Sequence, residues 1–401
     1  MKTIGYIVPS FPVLSETFIG NEIRAMQARG HKVVLIVFKQ EDGSAQPEDF
    51  LLAATATYLN HVPNSRATNE IKYPSKNASK ALSFIFAQKT LPRYSLFGNA
   101  LKIAAVAREN GCDHLHAHSA NGVAAHAIVA ARWIGATVSF VGHGLDVYKE
   151  PEDLKLKLKS ADIVISLCDE MSKAFAAYNA KAQVAMVPCG VNTQCFYPAA
   201  KNKADNDKLI FVGRLRHRKG VEDILEAATR LGDQCPKIDI VGDGPLRDTL
   251  EKRANENGLL KTKITFLGFR PTSWIASNVP HYKGIILPFK ASRDGMHDTR
   301  YLVIKEAMAM GLPIITTSLK EICEIITDNT GLLIEPGNPH QLSQAIVKLM
   351  SLDNMEREAL NANAHTRVKT HYSLDTQARA LSGLFEMIEP SKPRDKVREA
   401  S

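Results

Sequence analysis

The stretch HDTRYLVIKEAMAMGLPIITT, residues 297–317, shows the pattern of a helix followed by a strand that recurs along the chain. LVIKEAMAMG has the composition of a buried helix, and Gly311 with Pro313 ends it. The β-branched run PIITT then predicts a strand. A helix that leads directly into a buried strand is typical of a parallel α/β sheet. Asp298 and Glu306 stand eight residues apart in this stretch.

Those two carboxylates are too far apart to act on one atom. On a single helix they would lie about 12 Å apart along the axis and about 80° apart around it. We therefore place Asp298 in the loop before the helix and Glu306 on the helix, with separate roles.

The same alternation of strand and helix extends in both directions along the chain. It begins with the strand IGYIVPSF, a helix from SETFIGNEIRAMQARG with Ser15 as its N-cap, and the strand KVVLIVF. A polar stretch, YPAAKNKADNDK at 197–208, interrupts the pattern, which then restarts at LIFVG. The sequence predicts two doubly wound, Rossmann-like α/β domains, 1–198 and 199–373, with a helix of about 374–390 that packs back on the first. Ligands of such sheets bind at the carboxyl ends of the strands.

Composition places the chain among ordinary globular proteins. It has 401 residues, of which 45% are hydrophobic and 23% charged. No apolar run approaches the roughly 20 residues that a membrane-spanning helix needs, and the start MKTIGYIVPSF lacks the features of a signal peptide. We expect a cytoplasmic protein. Its six cysteines form no C-x-x-C pair, so we expect them to be reduced and structural.

The net charge of +8 is concentrated in one segment. Residues 71–108 hold seven Lys or Arg, no acid and five aromatic residues. Such a segment suits an anionic partner, which includes a membrane surface, a nucleic acid and a phosphorylated substrate. A solvated basic helix face is an equally good interpretation.

Two glycine-containing loops follow predicted strands in the second half of the chain. In FVGRLRHRKG, Gly213 is followed by Arg214 and Lys219 just before a helix, which suits an anion. A basic surface loop that caps the helix is the alternative, and the order of a P-loop is absent. In VGDGP, Gly242 and Gly244 form a strand-to-helix turn, but the third glycine of the dinucleotide fingerprint is missing.

Histidines end two strands of the first half. His116 and His118 of HAHS share one face of their strand, but no third ligand stands at a recognisable spacing, so no metal site is predicted. His143 in GHGLDVY lies between two glycines and suits a hydrogen-bonding or acid–base role, with Asp146 close behind it.

Several motifs in order resemble one enzyme family. GRLRHRKG, VGDGP, LGF, IKEAMAMGLPIITT and TGLLIEPGNPHQLSQAI resemble the second domain of retaining glycosyltransferases of family 4, which have the GT-B fold. FPVLSETFIGNEI and VPCGVNTQCFYP look like the first domain of members that build bacterial exopolysaccharide and lipopolysaccharide. The resemblance covers essentially the whole chain and implies two Rossmann-like domains that face each other across a cleft.

The resemblance implies a site for a nucleotide-sugar donor on the second domain. Arg214 and Lys219 would hold the diphosphate, and Glu306 would bind the ribose hydroxyls. Asp298 and His143 would contact the donor sugar. Residues 268–270 would lie beside the base, and the N–H groups of 300–303 would add to the phosphate site. The implied donor-binding set is Gly213, Arg214, Lys219, Gly242, Gly244, Gly268, Phe269, Arg270, Arg300, Tyr301, Leu302, Val303 and Glu306.

The resemblance also implies an acceptor side on the first domain, at Ser15 and Glu16, with His118 and Asp146. No cofactor and no metal is expected, because two cations and a helix N-terminus can stabilise the leaving phosphate. The only D-x-D, Asp205 to Asp207, lies in the polar stretch. The family is thought to react by same-face attack, so no nucleophile is assigned.

Some positions depart from the family pattern. Asp298 replaces the commoner Glu, Glu324 matches only by position, Cys189 stands where Asn is usual, and Asn192 where Asp is usual. These changes affect the expected donor more than the expected reaction.

The resemblance therefore implies a retaining, metal-independent glycosyltransferase that uses a UDP- or GDP-sugar. Its acceptor would be a lipid-linked glycan of cell-surface polysaccharide, bound with the aid of residues 71–108 at the inner face of the cytoplasmic membrane. No nucleic-acid partner is expected, and the oligomeric state is left open. The alternatives are a nucleotide-dependent oxidoreductase with tandem Rossmann domains and a non-catalytic sugar-binding protein of the same fold.

Overall fold

The chain folds into two α/β units. The computed structural model describes residues 1–41, 43, 45–198, 206–291 and 298–389. The first unit contains Met1–Cys189, Asp298 and Thr299, and the chain from Gln377 onward; the second contains the other described residues from Gly190 to Thr376. The first unit thus ends before the boundary at 198 that the sequence suggested.

The first unit is built on a seven-stranded parallel sheet in the order β3-β2-β1-β4-β5-β6-β7. Its strands are β1 (Thr3–Phe11), β2 (Lys32–Gln40), β3 (Thr57–Tyr58), β4 (His114–His118), β5 (Thr137–Val141), β6 (Ile163–Ser166) and β7 (Val184–Met186). Its first eight helices are α1 (Thr17–Ala28), α2 (Pro47–Ala53), α3 (Asn64–Glu70), α4 (Ala78–Ala87), α5 (Arg93–Glu109), α6 (Gly122–Ile134), α7 (Leu154–Ser160) and α8 (Asp169–Tyr178).

The second unit is built on a six-stranded parallel sheet in the order β10-β9-β8-β11-β12-β13. Its strands are β8 (Asn206–Val212), β9 (Ile238–Val241), β10 (Ile264–Gly268), β11 (Tyr282–Leu287), β12 (Ile314–Thr317) and β13 (Leu332–Ile334). Its helices are α9 (Val221–Leu231), α10 (Arg247–Glu256), α11 (Thr272–Asn278), α12 (Leu302–Ala309), α13 (Lys320–Cys323), α14 (Pro339–Ser351) and α15 (Asn354–His371).

Strand composition explains both sheets. The inner strands are rich in apolar residues, and every residue of β5, β9 and β12 is buried. Parallel sheets covered by helices on both faces require such runs. The predicted pair of doubly wound α/β domains is confirmed.

The strand order defines where each unit should bind a ligand. In the first sheet the order reverses between β1 and β4, and in the second between β8 and β11. Loops that leave the carboxyl ends of these strand pairs run to opposite sides, which opens a crevice between them. A ligand site is therefore expected at each of these two points.

The last helix, α16 (Leu374–Met387), completes the core of the first unit from Gln377 onward. The ring of Phe385 lies 4.4 Å from that of His114 on β4. Ser382 Oγ lies 2.8 Å from His31 Nε2. Two segments far apart in sequence therefore share one core.

Two local predictions were wrong. Ser15 is not at the N-cap position of the first helix: it lies in a 3-10 turn, Leu14–Glu16, and α1 begins at Thr17 with Glu16 at the N-cap position. The first strand of the second unit also starts earlier than predicted. β8 begins at Asn206, inside the polar stretch 197–208, and Asn206 pairs with Tyr282 on β11.

Backbone contact between neighbouring loops fixes the carboxyl ends of β8, β9 and β10. Gly213 N donates to Val241 O at 3.0 Å, and Gly242 N donates to Gly268 O at 2.9 Å. Gly242 has φ +133°, and a Cβ there would lie 1.9 Å from Gly213 O. Only glycine fits such an approach.

Gly242→Ala should destabilise the second unit by more than about 2 kcal/mol, because the new Cβ meets backbone and the φ is unfavourable. Gly258→Ala is the control: its φ of +67° is also positive, but nothing lies within 4 Å of the added carbon. That change should cost about 1 kcal/mol. Hydrogen exchange of the β8 and β9 amides measures both, and equal losses would contradict the contact.

Candidate functional site

The crevice of the second unit lies between the loops after β8 and β11. Gly220 has φ +71°, and a Cβ there would lie 1.8 Å from Pro288 O. Lys290 N donates to Arg218 O at 3.0 Å, and Lys290 Nζ pairs with Asp223 Oδ1 at 2.7 Å. The two loops are therefore held in direct contact.

Cations crowd this crevice. Arg214 is exposed, and Arg216, Arg218 and Lys219 are half-buried. The charge of Arg214 lowers the pKa of Arg216, with smaller effects from burial and from Arg218. Arg216 Nε and Arg218 Nε are buried, and no described residue accepts a hydrogen bond from them. Like charges held together in this way favour an anion between them.

An aromatic ring orients the lysine. Lys219 Nζ lies 4.5 Å from the centre of the Phe289 ring, a cation–π contact. The Phe289 ring in turn meets Tyr301 at 5.0 Å and 66°. The loop after β11 thus connects the basic loop to the start of α12.

The backbone is strained at Tyr301, the residue immediately before α12. Tyr301 is buried and lies in the left-handed region, at φ +40° and ψ +44°, which is uncommon for an aromatic residue. Leu302 and Val303 open the helix and are half-buried. The first N–H groups of a helix lack intrahelical partners and attract anions.

Glu306 lies one turn further along α12. Burial raises the pKa of its carboxyl from 4.5 to about 7. Within the part of the chain that the structure describes, no donor reaches this carboxylate. Hydroxyl donors from a ligand would therefore find an unsatisfied acceptor here.

The other predicted donor-side residues line the ends of β9 and β10. Gly244 has φ +159° and a Cβ there would lie 2.5 Å from Leu215 O. Gly242 and Gly244 thus permit backbone packing between loops, a role that the sequence analysis did not foresee. Phe269 is 55% exposed, and the Arg270 guanidinium stacks on the Trp274 ring at 5.6 Å.

The two acids of the opening stretch belong to different units. Asp298 is half-buried and belongs to the first unit, whereas Arg300 and Glu306 belong to the second. They do not form a pair on one helix, and the separate roles expected for them stay predictions.

A buried polar network lies at the end of β4 in the first unit. Glu22 of α1 accepts hydrogen bonds from Tyr6 Oη at 3.1 Å, from His118 Nε2 at 3.1 Å and from Gln377 Nε2 at 2.7 Å. Burial opposes ionisation of Glu22, but the neighbouring His118 and His116 lower the pKa of its carboxyl overall. His118 is therefore committed to a buried carboxylate.

The same network supplies a potential metal ligand that spacing could not reveal. Ligand atoms of Glu22, His116 and His118 all lie within 4.8 Å of one another, close enough to hold a metal ion. The sequence offered two histidines without a third ligand, and the fold brings in Glu22. Of the D-x-D in the polar stretch, Asp205 lies outside the described residues, and Asp207 pairs with Lys283 at 3.6 Å.

Asp146 holds the loops after β4 and β5 together. Its carboxylate accepts from Ser119 Oγ at 2.6 Å, Ala120 N at 2.5 Å and His143 N at 2.7 Å. Burial still raises the pKa of this carboxyl. Asp146 thus positions His143, whose ring meets Phe18 at 5.4 Å and His118 at 6.2 Å.

Sequence reasoning missed several residues of these clusters. Arg216 and Arg218 lie in the basic loop, and their spacing from Arg214 was a usable signal. Phe289 follows a predicted strand, where ligands are expected. No local sequence pattern marked Glu22, because the residues that donate to its carboxylate lie on β1, β4 and α16, far from it in sequence.

The fold is that of GT-B glycosyltransferases. A glycosyltransferase from Rickettsia africae superimposes with a TM-score of 0.75 at 18% identity, covering 96% of this chain and 98% of that one. Anabaena HepE, solved in complex with UDP, superimposes with a TM-score of 0.73 at 16% identity, covering 96% and 100%. The predicted fold class is confirmed.

Family models match both halves of the chain. Residues 15–194 match Glycosyltransferase Family 4, and residues 206–352 match Glycosyl transferases group 1. The chain therefore belongs to the glycosyltransferases that combine a family 4 domain with a group 1 domain, as its motifs suggested.

Relatives match over the full length. WcaL of Escherichia coli (strain K12), which carries a provisional name as a colanic acid biosynthesis glycosyltransferase, is 24% identical, covering 96% of this chain and all of the relative. The amylovoran biosynthesis glycosyltransferase AmsK of Erwinia amylovora is 23% identical, covering 96% and 99%.

Among the helices of the described residues, none is both long and apolar enough to cross a membrane.

Glu306→Gln should stabilise the second unit at pH 8 by an amount on the order of 2 kcal/mol. A folded-state pKa raised from 4.5 to about 7 means that ionisation opposes folding, a penalty that is absent below pH 4.5 and complete above pH 7. Thermal unfolding at pH 4 and pH 8 tests this, with surface Glu256→Gln as control. Equal stabilisation at both pH values would show that the buried charge of Glu306 is not the cause.

Proposed function

We propose that this glycosyltransferase transfers a sugar from a nucleoside diphosphate sugar to a glycan hydroxyl with retention of configuration. The observation that carries the proposal is the cation cluster of Arg214, Arg216, Arg218 and Lys219 at the switch point of the second unit. A diphosphate is an anion whose charge suits this group of cations. UDP is the favoured nucleotide, because HepE was solved with UDP and with UDP-glucose.

In the proposed reaction, the bond from the anomeric carbon to the diphosphate oxygen breaks as the acceptor oxygen bonds to that carbon on the same face. The acceptor proton passes to the departing phosphate oxygen. Arg214, Lys219 and the N-terminus of α12 stabilise the negative charge that develops on the leaving group. Such groups can do this without a metal ion, so we propose metal-independent transfer and no cofactor.

Glu306 is proposed to accept hydrogen bonds from the ribose hydroxyls. Its carboxylate has no other donor among the described residues, and hydroxyl donors would stabilise its charged form. Phe269, 55% exposed at the end of β10, is proposed to lie beside the base. His143 and Asp298 are proposed to contact the transferred sugar.

Arg214→Ala and Lys219→Ala should each weaken UDP binding at least about tenfold, because each removes a charge-assisted hydrogen bond worth about 1.5–3 kcal/mol. Isothermal titration calorimetry measures the dissociation constants. The control is Lys252→Ala, a solvent-exposed lysine of the same unit.

The proposed donor site fails if both variants bind UDP as the unchanged chain does. It also fails if neither UDP nor GDP binds the unchanged chain. Wild-type melting temperatures in the variants would show that any loss reflects the site and not the fold.

The relatives suggest a biological setting. WcaL and AmsK carry names of exopolysaccharide biosynthesis, so we propose that the acceptor is a growing, lipid-linked cell-surface polysaccharide. Such an acceptor would bring the protein to the inner face of the cytoplasmic membrane.

The segment 71–94 is proposed as the membrane-facing surface. Lys72, Lys76, Lys80, Lys89 and Arg93 are exposed. Tyr73, Phe86 and Tyr94 are exposed by 55%, 65% and 96%, and the Arg93 guanidinium lies 5.3 Å from the Phe86 ring centre. Cations beside exposed aromatic rings suit the interface of an anionic bilayer.

Replacement of Lys80, Lys89 and Arg93 by Gln should weaken binding to phosphatidylglycerol vesicles at least about tenfold, since each charge contributes about 1 kcal/mol near such a surface. Vesicle sedimentation at about 0.1 M salt measures this. The matched control is replacement of Lys32, Lys39 and Lys181, which are also exposed on the first unit. Equal binding of the two triple variants, or equal binding to uncharged vesicles, would rule out the proposed surface.

A further inference from the structure

Three potential metal ligands meet in the core of the first unit. Glu22 lies on α1, and His116 and His118 lie on β4, and none of the three is more than 5% exposed. Glu22 Oε1 is 3.7 Å from His116 Nε2 and 3.1 Å from His118 Nε2. Neighbouring ligand atoms of a tetrahedral zinc ion lie about 3.4 Å apart, because each is about 2.1 Å from the metal. The spacing of the three side chains therefore suits such an ion.

A chain of hydrogen bonds places the proton of His116. The Thr137 hydroxyl donates to Asp113 O at 3.2 Å, so it accepts from His114 Nδ1 at 2.8 Å. Burial lowers the pKa of His114 to about 3, so its Nε2 is unprotonated and accepts from the Ser139 hydroxyl at 2.7 Å. Ser139 Oγ in turn accepts from His116 Nδ1 at 2.7 Å. The proton of His116 is therefore on Nδ1, and Nε2 carries a lone pair.

That lone pair faces a carboxylate oxygen. His116 Nε2 is buried and has no hydrogen-bond partner among the described residues. The 3.7 Å that separates it from Glu22 Oε1 is too long for a hydrogen bond. Burial lowers the pKa of His116 well below 6.5, so a second proton does not fill the gap. Two buried acceptors that face each other are unfavourable, and a metal cation would satisfy both.

The surroundings of the cluster resemble the outer shell of a metal site. Tyr6 Oη donates to Glu22 Oε1 at 3.1 Å, and Gln377 Nε2 donates to Glu22 Oε2 at 2.7 Å. The rings of Phe385 and Phe18 lie 5.2 Å and 6.1 Å from the two imidazoles. Hydrogen bonds of this kind orient metal ligands, and apolar neighbours limit the access of water.

We propose that Glu22, His116 and His118 bind one divalent transition metal ion, and that this ion is Zn²⁺. Two imidazoles and one carboxylate suit zinc, whereas Mg²⁺ and Ca²⁺ prefer oxygen ligands alone. On binding, His118 Nε2 exchanges its contact with the carboxylate for a bond to the metal. Its proton moves to Nδ1, so no net proton is released. The three ligands leave a fourth position for water.

The ion is structural. It joins α1 to β4 in the interior of the first unit and takes no part in sugar transfer, so metal-independent transfer stays as proposed. The ligands come together only in the folded unit, and the free energy of metal binding therefore adds to the stability of the fold. This inference does not depend on the activity proposed above.

Metal analysis of the full chain tests the site. Protein without an affinity tag is stripped with EDTA, dialysed and titrated with Zn²⁺, with Mg²⁺ as the comparison. We expect one zinc ion per chain with a dissociation constant below about 1 μM. Zinc at a hundredfold excess over this constant should raise the melting temperature of the first unit by at least about 5 °C. Mg²⁺ should leave it unchanged.

Two variants locate the site. Glu22→Gln keeps an acceptor for its neighbours but loses the charge, and His116→Phe keeps a ring but loses the lone pair. Each should weaken zinc binding at least about 100-fold, because loss of an outer-shell partner alone costs about 10- to 100-fold. His61→Gln is the control, since His61 is an exposed histidine of the same unit. It should bind zinc as the unchanged chain does.

Three results would overturn the inference: the unchanged chain binds no zinc, both variants bind zinc as it does, or His61→Gln abolishes binding. Stoichiometry and melting shift need no variant, so a variant that fails to fold leaves the test decisive. Titration of the unchanged chain with Co²⁺ then locates the ion. Cobalt held by these three ligands and one water gives the strong visible absorption of a four-coordinate ion, and the weak absorption of a six-coordinate surface ion would reject the site.

Discussion

Close approach of backbone segments at the carboxyl ends of the central strands determines the geometry of the second unit. At Gly220 and Gly242 the neighbouring loop comes so near that no side chain fits, with an added Cβ 1.8 Å and 1.9 Å from a carbonyl oxygen. Loops in such contact cannot shift independently, so the backbone that carries the cations is held in place. The protein therefore maintains a repulsive cluster of arginines before any ligand arrives. Electrostatic preorganisation of this kind spares the reaction the cost of reorganising charges.

The first unit contains a group of the opposite charge, a buried carboxylate. Glu22 is 5% exposed, and three donors from β1, β4 and α16 compensate its loss of solvation. An isolated buried carboxylate would be far more costly. The network also fixes His118, against which the ring of His143 stacks. Stability of the core and orientation of residues at the strand ends thus depend on the same contacts.

Prediction from the sequence succeeded where the signal was local. The strands of both sheets were legible because most of them are short runs rich in apolar residues. The roles of Arg214, Lys219 and Glu306, which follow strands or helix starts in recognisable motifs, stay predictions. It failed where neighbours decide the outcome. The helix start at Thr17 and not at Ser15 depends on a preceding 3-10 turn, and Glu22 gains meaning only from residues that lie far away in sequence. The close packing at Gly242 was invisible too, since a glycine in sequence does not reveal which atom lies opposite.

The position of α16 has a consequence for synthesis on the ribosome. The first unit begins at Met1, yet Gln377, Ser382 and Phe385 supply part of its interior. The second unit lies wholly between these segments in sequence and can close its core earlier. Domains commonly fold in the order in which they are made. Here the order is inverted: the core of the first unit stays incomplete, with Glu22 lacking the Gln377 donor, until α16 has left the exit tunnel.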